Sequence, residues 1–155
     1  MIVMHHTDRP LAVALALAAA VLPALGAERE VSFDRNLIVT GPVELEIGTR
    51  SGRIDVRTGV DGEVRIRGVI RRAGGFSGNF EEVAGGIQSN PPIHQEGNTI
   101  RIEPINAEEG GRRLSLSYEI TVPKETRLRA RTGSGGIRVA GLAGDVRVDT
   151  GSGRI

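Results

Sequence analysis

A four-residue string near the end of the chain returns unchanged: Thr132-Gly133-Ser134-Gly135 recurs as Thr150-Gly151-Ser152-Gly153, eighteen residues on. The apolar residues around it keep a step of half that length. Leu128, Ile137, Val146 and Ile155 are nine apart, and Ala130, Val139 and Val148 keep the same step two residues later. Arg129, Arg138 and Arg147 stand inside each apolar pair. Apolar, polar, apolar over three positions is the two-residue period of a strand. Gly-rich connectors of two kinds alternate between these short strands, T-G-S-G in one place and Ala140-Gly141-Leu142-Ala143-Gly144-Asp145 in the next.

Two strands and two unlike turns in eighteen residues are what one coil of a two-sided β-solenoid needs. The expected fold class is therefore all-β: a single-stranded β-helix-like β-solenoid of short strands and Gly-rich turns, about nine residues per strand-turn step. Stacked coils put Thr150 near Thr132, Ser152 near Ser134 and Ile155 near Ile137. Ile137, Val139, Val146 and Val148 then point inward, and Arg129, Arg131, Arg138, Arg147 and Arg154 point outward. An antiparallel meander with nine-residue steps is the rival. Strands this short would give a meander little core, since five or six residues are usual. T-G-S-G reads as a corner rather than a phosphate cradle, for which the G-x-x-x-x-G-K-[ST] spacing between strand and helix is missing. Gly136 and Arg154 follow the two T-G-S-G strings where a calcium-binding nonapeptide repeat needs Asp.

Tyr118-Glu119-Ile120-Thr121-Val122-Pro123-Lys124-Glu125-Thr126 leads into L-R-A-R-T-G-S-G-G-I-R-V. This stretch resembles the bacterial putative-adhesin family of exported Gly-Ser-Gly repeat proteins, a domain of unknown function. The resemblance covers roughly residues 33–155. It implies a β-solenoid-like domain of the cell envelope and carries over no catalytic residue.

Residues 1–26 read as a signal peptide. Arg9 precedes an apolar run from Leu11 to Leu22, followed by Pro23 and the small-residue exit Ala24-Leu25-Gly26. The run is shorter than the roughly 20 residues that span a bilayer, so no membrane span is expected in the mature chain. The domain is read as 28–155 and as truncated at its C-terminus, because Ile155 falls mid-coil with no cap in view. Export makes the chain periplasmic, cell-surface or secreted. With no cysteine, neither a disulfide framework nor a thiolate nucleophile is available.

The nine-residue step also occurs near the start, where Leu45 and Ile47 are followed by Ile54 and Val56. Leu114 to Val122 is read as the longest strand, stopped by Pro123, which lacks an amide donor. Asn106 to Arg113 is read as a charged connector. Gly68 to Asn98 keeps no clear period, and no helix is expected there. Phe76 and Phe80 are assigned to capping one end of the stack, with a binding loop as the alternative.

For chemistry the chain offers little. His94 is the one histidine of the mature part and lacks a G-x-S-x-G elbow to pair with. Asp55, Asp61, Asp145 and Asp149 fall at strand ends and corners, where a weak calcium site is conceivable but solvated pairing with Arg is the commoner use. The net charge of +1, with acids and bases interspersed, excludes a nucleic-acid footprint. No catalytic, cofactor-binding or metal-binding residues are assigned, and no cofactor. The expected function is a non-enzymatic exported repeat domain acting as an envelope scaffold or adhesion surface, its partner an envelope or cell-surface protein or a glycan. The alternative is a carbohydrate-binding or polysaccharide-active β-helix protein.

Overall fold

The computed structural model describes residues 29–76, 78–106 and 113–155. The signal peptide and most of the connector between 106 and 113 lie outside them. Ten strands and one helix follow in the order β1 (Glu30–Ile38), β2 (Val43–Ser51), β3 (Ile54–Thr58), β4 (Glu63–Arg72), α1 (Phe80–Ser89), β5 (Ile93–Glu96), β6 (Thr99–Ile102), β7 (Leu114–Val122), β8 (Thr126–Ser134), β9 (Ile137–Ala140) and β10 (Val146–Ser152). The chain is mainly β, as its period of two required. The strands form two five-stranded mixed sheets, one in the order β1-β4-β7-β3-β9 and the other β10-β8-β2-β6-β5.

The path explains the order. Val43 to Ser51 lies in the second sheet; the chain turns at Gly52 and returns as β3 in the first. The same crossing recurs from β6 to β7 and from β8 to β9. These strand pairs lie beside one another with parallel register: Leu45 faces Ile100 on one side and Leu128 on the other, while Ile54 faces Tyr118 and Ile137. β10 then pairs with β8, in parallel, at an offset of eighteen residues, so that Thr150 faces Thr132 and Ser152 faces Ser134. A meander would have made these neighbours antiparallel. The antiparallel pairs lie elsewhere: β1 with β4, β4 with β7, and β5 with β6.

Strand alternation sends one residue set to the interior. Along β7, Leu114, Leu116, Tyr118, Ile120 and Val122 are all buried while the residues between them are not. Leu45, Ile47, Ile54, Val56, Ile66, Ile70, Ile100 and Leu128 join them in one core between the sheets. Each such side chain contributes roughly 1.5–3 kcal/mol by leaving water. Gly68 and Phe33 occupy facing positions in the same layer. A Cβ at Gly68 would stand 2.2 Å from the tip of the Phe33 ring, so the ring fills the space that the glycine leaves. Phe33 meets Tyr118 edge to face, with centroids 6.4 Å apart.

Four readings change. First, T-G-S-G is strand for three of its residues, because β2, β8 and β10 run on through Ser51, Ser134 and Ser152. The corner proper begins at the following glycine, Gly52 or Gly135, whose φ values of 139° and 141° lie where a Cβ is strained. β2 and β8 are consequently nine residues long and β10 seven, well beyond a single apolar-polar-apolar set. Second, β4, not β7, is the longest strand, at ten residues. It continues past Gly68, which the supposed break in period began with.

Third, a helix lies inside that segment. Asn79 caps it, its Oδ1 accepting from the Glu82 amide at 3.4 Å, and Phe80, Ala84 and Ile87 are buried. Arg35 donates to the carbonyls of Gln88 and Ser89, satisfying acceptors that the last helical turn leaves open. The helix packs along β1, and Phe80, edge to face with Phe76, is buried there. The segment read as a loop is thus a helix that seats Phe80 in the core, with Phe76 packed beside it.

Fourth, the inward set at the C-terminal side is unequally covered. Ile137 is buried, Val139 and Val148 are half-buried, and Val146 is 44% exposed. The reason is position: β9 and β10 are the outermost strands of their sheets, so their inner residues have neighbours on one side only.

Candidate functional site

Alternation that fills the core also sorts the charges. On the outer face of the second sheet, Arg147, Arg129, Glu46, Arg101 and His94 occupy facing positions in that order across all five strands. Arg101 Nε donates to Glu46 Oε2 at 3.4 Å, and in the adjoining row Arg127 donates to Glu44 Oε1 at the same distance. One row the other way, Asp149 faces Arg131. β8 thus presents Arg127, Arg129 and Arg131 on one face, with Glu44 and Glu46 on the flanking strand.

The first sheet has an equivalent row across its outer face: Arg138, Asp55, Glu119, Arg67 and Asp34. Here the two acids Asp55 and Glu119 face each other, flanked by Arg138 on one side and Arg67 on the other. Asp55 also takes Arg57 of its own strand at 3.0 Å. Exposed pairs of this kind are each worth under about 1 kcal/mol, so they set the character of the face more than the stability of the fold.

The like-charged neighbours of the second face are basic where those of the first are acidic. Arg129 and Arg147 stand directly opposite each other on adjacent strands, and among the described residues neither has a carboxylate within ion-pair distance. Like charges set opposite in a sheet are destabilising. That juxtaposition leaves two neighbouring guanidinium groups on this face without a carboxylate partner.

The residues singled out in the sequence are dispersed. His94 lies on β5, exposed, with Nε2 3.9 Å from Glu103 Oε2. Asp61 lies in the turn between β3 and β4, and Asp145 and Asp149 belong to the β10 side of the second sheet, on the opposite sheet from Asp55. Among the described residues no group of three acids and histidines is gathered as a metal would require. The five arginines assigned to the outside are all exposed. Missed in the sequence were the other charged residues of these rows, Glu44, Glu46, Arg67, Arg101, Glu119 and Arg127. The alternating Val43-Glu44-Leu45-Glu46-Ile47 already held the signal for two of them.

Phe33, Phe80 and Tyr118 are buried and Phe76 is half-buried against Phe80, so the outer faces carry no aromatic ring. Burial pushes the Tyr118 hydroxyl well above the ordinary phenol range, and the hydroxyl has no hydrogen-bond partner among the described residues. Between β9 and β10 the two sheets part into an open trough of about 910 Å³, lined by Ile137, Val139, Val146, Val148 and the Gly-rich corners.

No protein-family model matches the sequence, and no curated protein matches it. Two solved structures are similar in shape. One, described as a putative cell adhesion protein from Clostridium sporogenes, is 11% identical with a TM-score of 0.47 over 79% of this chain and 59% of its own. The other, described as a putative adhesin from Parabacteroides distasonis, is 5% identical with a TM-score of 0.33 over 74% of this chain and 44% of its own. The chain therefore spans less than two thirds of either neighbour. Among the described residues no helix is long and apolar enough to cross a membrane.

Proposed function

We propose that this chain is a non-enzymatic, exported interaction module, a coil domain of putative-adhesin type whose flat charged faces act as an envelope scaffold or adhesion surface. Support for the coil reading is the three-fold recurrence of one crossing, β6 to β7, β2 to β3 and β8 to β9, with parallel register throughout. The β-solenoid proposed is thus local, flanked by the antiparallel strands β1, β4 and β5.

The observation that carries the functional reading is the outer face of the second sheet. It is five strands wide, carries Arg147, Arg129, Glu46 and Arg101 on four neighbouring strands of its middle row, and holds the unpaired neighbours Arg129 and Arg147. A surface of this type suits an extended acidic partner, a protein or an anionic polysaccharide, whose charges fall in rows. The test is binding of the purified protein to immobilised polyanionic and neutral polysaccharides and to envelope protein fractions, at low and at raised salt. Retention by an acidic partner, weakened by salt and abolished by Arg129→Glu with Arg147→Glu, is the expected result. Equal retention by the double variant removes the face from the reading.

A carbohydrate-binding domain is the second reading, favoured by the same arginine pair in a specifically anionic form. With the rings inside the core, sugar stacking on this face has no platform, so neutral glycans should not be retained. Shortening of a bound polysaccharide would convert the reading to an enzyme.

A further inference from the structure

On the outer face of the second sheet the charged rows enclose a groove that runs across the strands. It holds about 570 Å³ and is lined in turn by β10, β8, β2 and β6. Its floor is backbone, because Leu45 and Leu128 turn their side chains into the core. Arg147, Arg129, Glu46 and Arg101 border it on one side. Arg127 and Glu44 border it on the other, together with Asp145.

Part of this lining is paired within the groove: Arg101 donates to Glu46 and Arg127 to Glu44, both at 3.4 Å. Arg129 stands between two paired strands, with Arg147 facing it on β10 and the engaged Glu46 on β2. Along β8 its outward neighbours are Arg127, held by Glu44, and Arg131, which faces Asp149. An anion anchored on Arg129 therefore finds its further contacts across the strands, in the groove, and not along β8. Spacing then separates the polymers that carry such anions. Adjacent strands are about 4.8 Å apart, so Arg129 and Arg101, with β2 between them, are separated by about 9.6 Å. An extended acidic peptide presents same-side carboxylates about 6.8 Å apart, out of step with that distance. A ribbon-like chain of linked uronic acids brings a carboxylate to one side once in every second sugar, close to two strand spacings. Hydroxyls of the sugar between are donors, which Glu46 in the middle and Glu44 and Asp145 on the far side can accept. The same carboxylates repel a chain charged at every position.

We infer that this groove binds a linear uronic-acid polysaccharide laid across the strands. Arg129 and Arg147 take one carboxylate between them, and Arg101 takes the next on that side. Glu44, Glu46 and Asp145 accept sugar hydroxyls. With Phe33, Phe80 and Tyr118 buried in the core, charge and hydroxyl pairing supply the affinity, so salt weakens it. The inference rests on the functional reading above and narrows its acidic partner to one class.

The probe is a β-linked hexamannuronate titrated into the whole isotope-labelled protein, with amide shifts read by nuclear magnetic resonance. Saturable shifts from Glu44 to Glu46, from Arg127 to Arg129 and at Val146 and Arg147, in one band across the strands, are the expected result. Arg129→Gln should weaken binding about tenfold, the worth of one hydrogen bond to a charged group. Arg131→Gln, next along β8, and Arg29→Gln, whose residue pairs with Glu81 of α1, should bind within about twofold of the natural protein. The carboxyl-reduced hexasaccharide, alike in shape but uncharged, should give no shifts. Hexaglutamate should bind at least about tenfold more weakly than the uronate. Absence of shifts with hexamannuronate overturns the inference. So do shifts running along β8 with an equal loss in Arg131→Gln, and so does hexaglutamate binding as tightly as the uronate. Hexaglutamate also keeps the two claims apart. If it binds in place of the uronate and Arg129→Glu with Arg147→Glu abolishes that binding, the face remains an interaction surface and only the ligand class falls. If no acidic chain binds, both fall.

Discussion

Tyr118→Phe should make this protein more stable. Tyr118 is 1% exposed, its ring is packed against Phe33, and its hydroxyl is buried without a partner. A buried polar group left unpaired costs about 1–3 kcal/mol, and phenylalanine keeps the shape while removing the group. A gain of about 1–3 kcal/mol follows, which at roughly 2–8 °C per kcal/mol is readable as a rise in the thermal midpoint. Alkaline pH supplies a second reading. The folded chain holds the phenol proton far above the ordinary value of 10.0 because burial disfavours the phenolate. Above that value the unfolded chain releases a proton that the folded chain keeps. The unfolded state is then favoured, and stability falls by about 1.4 kcal/mol per pH unit. Tyr118 is the only tyrosine, cysteine is absent and Lys124 is the only lysine, so few other groups titrate there. Melts followed by circular dichroism between about pH 8 and 11 should show a falling midpoint for the natural protein and a flatter one for Tyr118→Phe. A lower midpoint at neutral pH, or the same alkaline slope in both, would refute the argument.

Three further substitutions probe the packing. Gly68→Ala drives a methyl group into the Phe33 ring at 2.2 Å and should cost about 1–3 kcal/mol in a denaturant titration; an unchanged midpoint would mean that the ring sits elsewhere. Ile137→Asp places a carboxylate at a 3% exposed position and should unfold the β8–β9 layer, whereas Val146→Asp, at 44% exposure, should cost under about 1 kcal/mol. Equal losses from the two in thermal melts would contradict the unequal cover of the inner residues. Gly135→Ala combines a φ of 141° with an approach of 2.1 Å to Gly52 O and should lose more than about 1 kcal/mol, with hydrogen exchange quickening first at Gly52 and Ser134.

What the sequence reveals here depends on whether a contact is local or periodic. The step from Leu45 to Ile54, repeated from Leu128 to Ile137, is visible because each strand-corner-strand unit presents the same residue type to the same layer. For that reason the pairing of Thr132 with Thr150 follows from the spacing alone. The pairing of Leu45 with Leu128 does not, since eighty-three residues separate them and the intervening β4, α1, β5, β6 and β7 must leave and return. Nor does the antiparallel laying of β4 on β1 and β7, which no repeat announces. The helix was legible and went unread: Phe80, Val83, Ala84 and Ile87 hold the spacing of one helical face behind an Asn79 cap, although Gly85 and Gly86 dilute its propensity. Val146 shows the opposite case. Its period assigns it inward, but burial needs a neighbour on each side, and period says nothing about which strand comes last. For the charged faces, alternation gave the outward direction of Arg129 and Arg147, while their placement side by side needed the register.

The offset of eighteen residues between β8 and β10 bears on how such a gene can change in length. Gain or loss of a whole eighteen-residue unit returns each following strand to its own sheet with its apolar side unchanged, so slippage between two copies of the Thr-Gly-Ser-Gly codons is structurally silent. A gain of nine would move every later strand to the facing sheet, whereas a residue gained in a connection is taken up there, as between Leu45 and Ile100, which face each other at an offset that is no multiple of eighteen. Length variants confined to the Thr-Gly-Ser-Gly repeat itself, from β8 to β10, should therefore be spaced in eighteens.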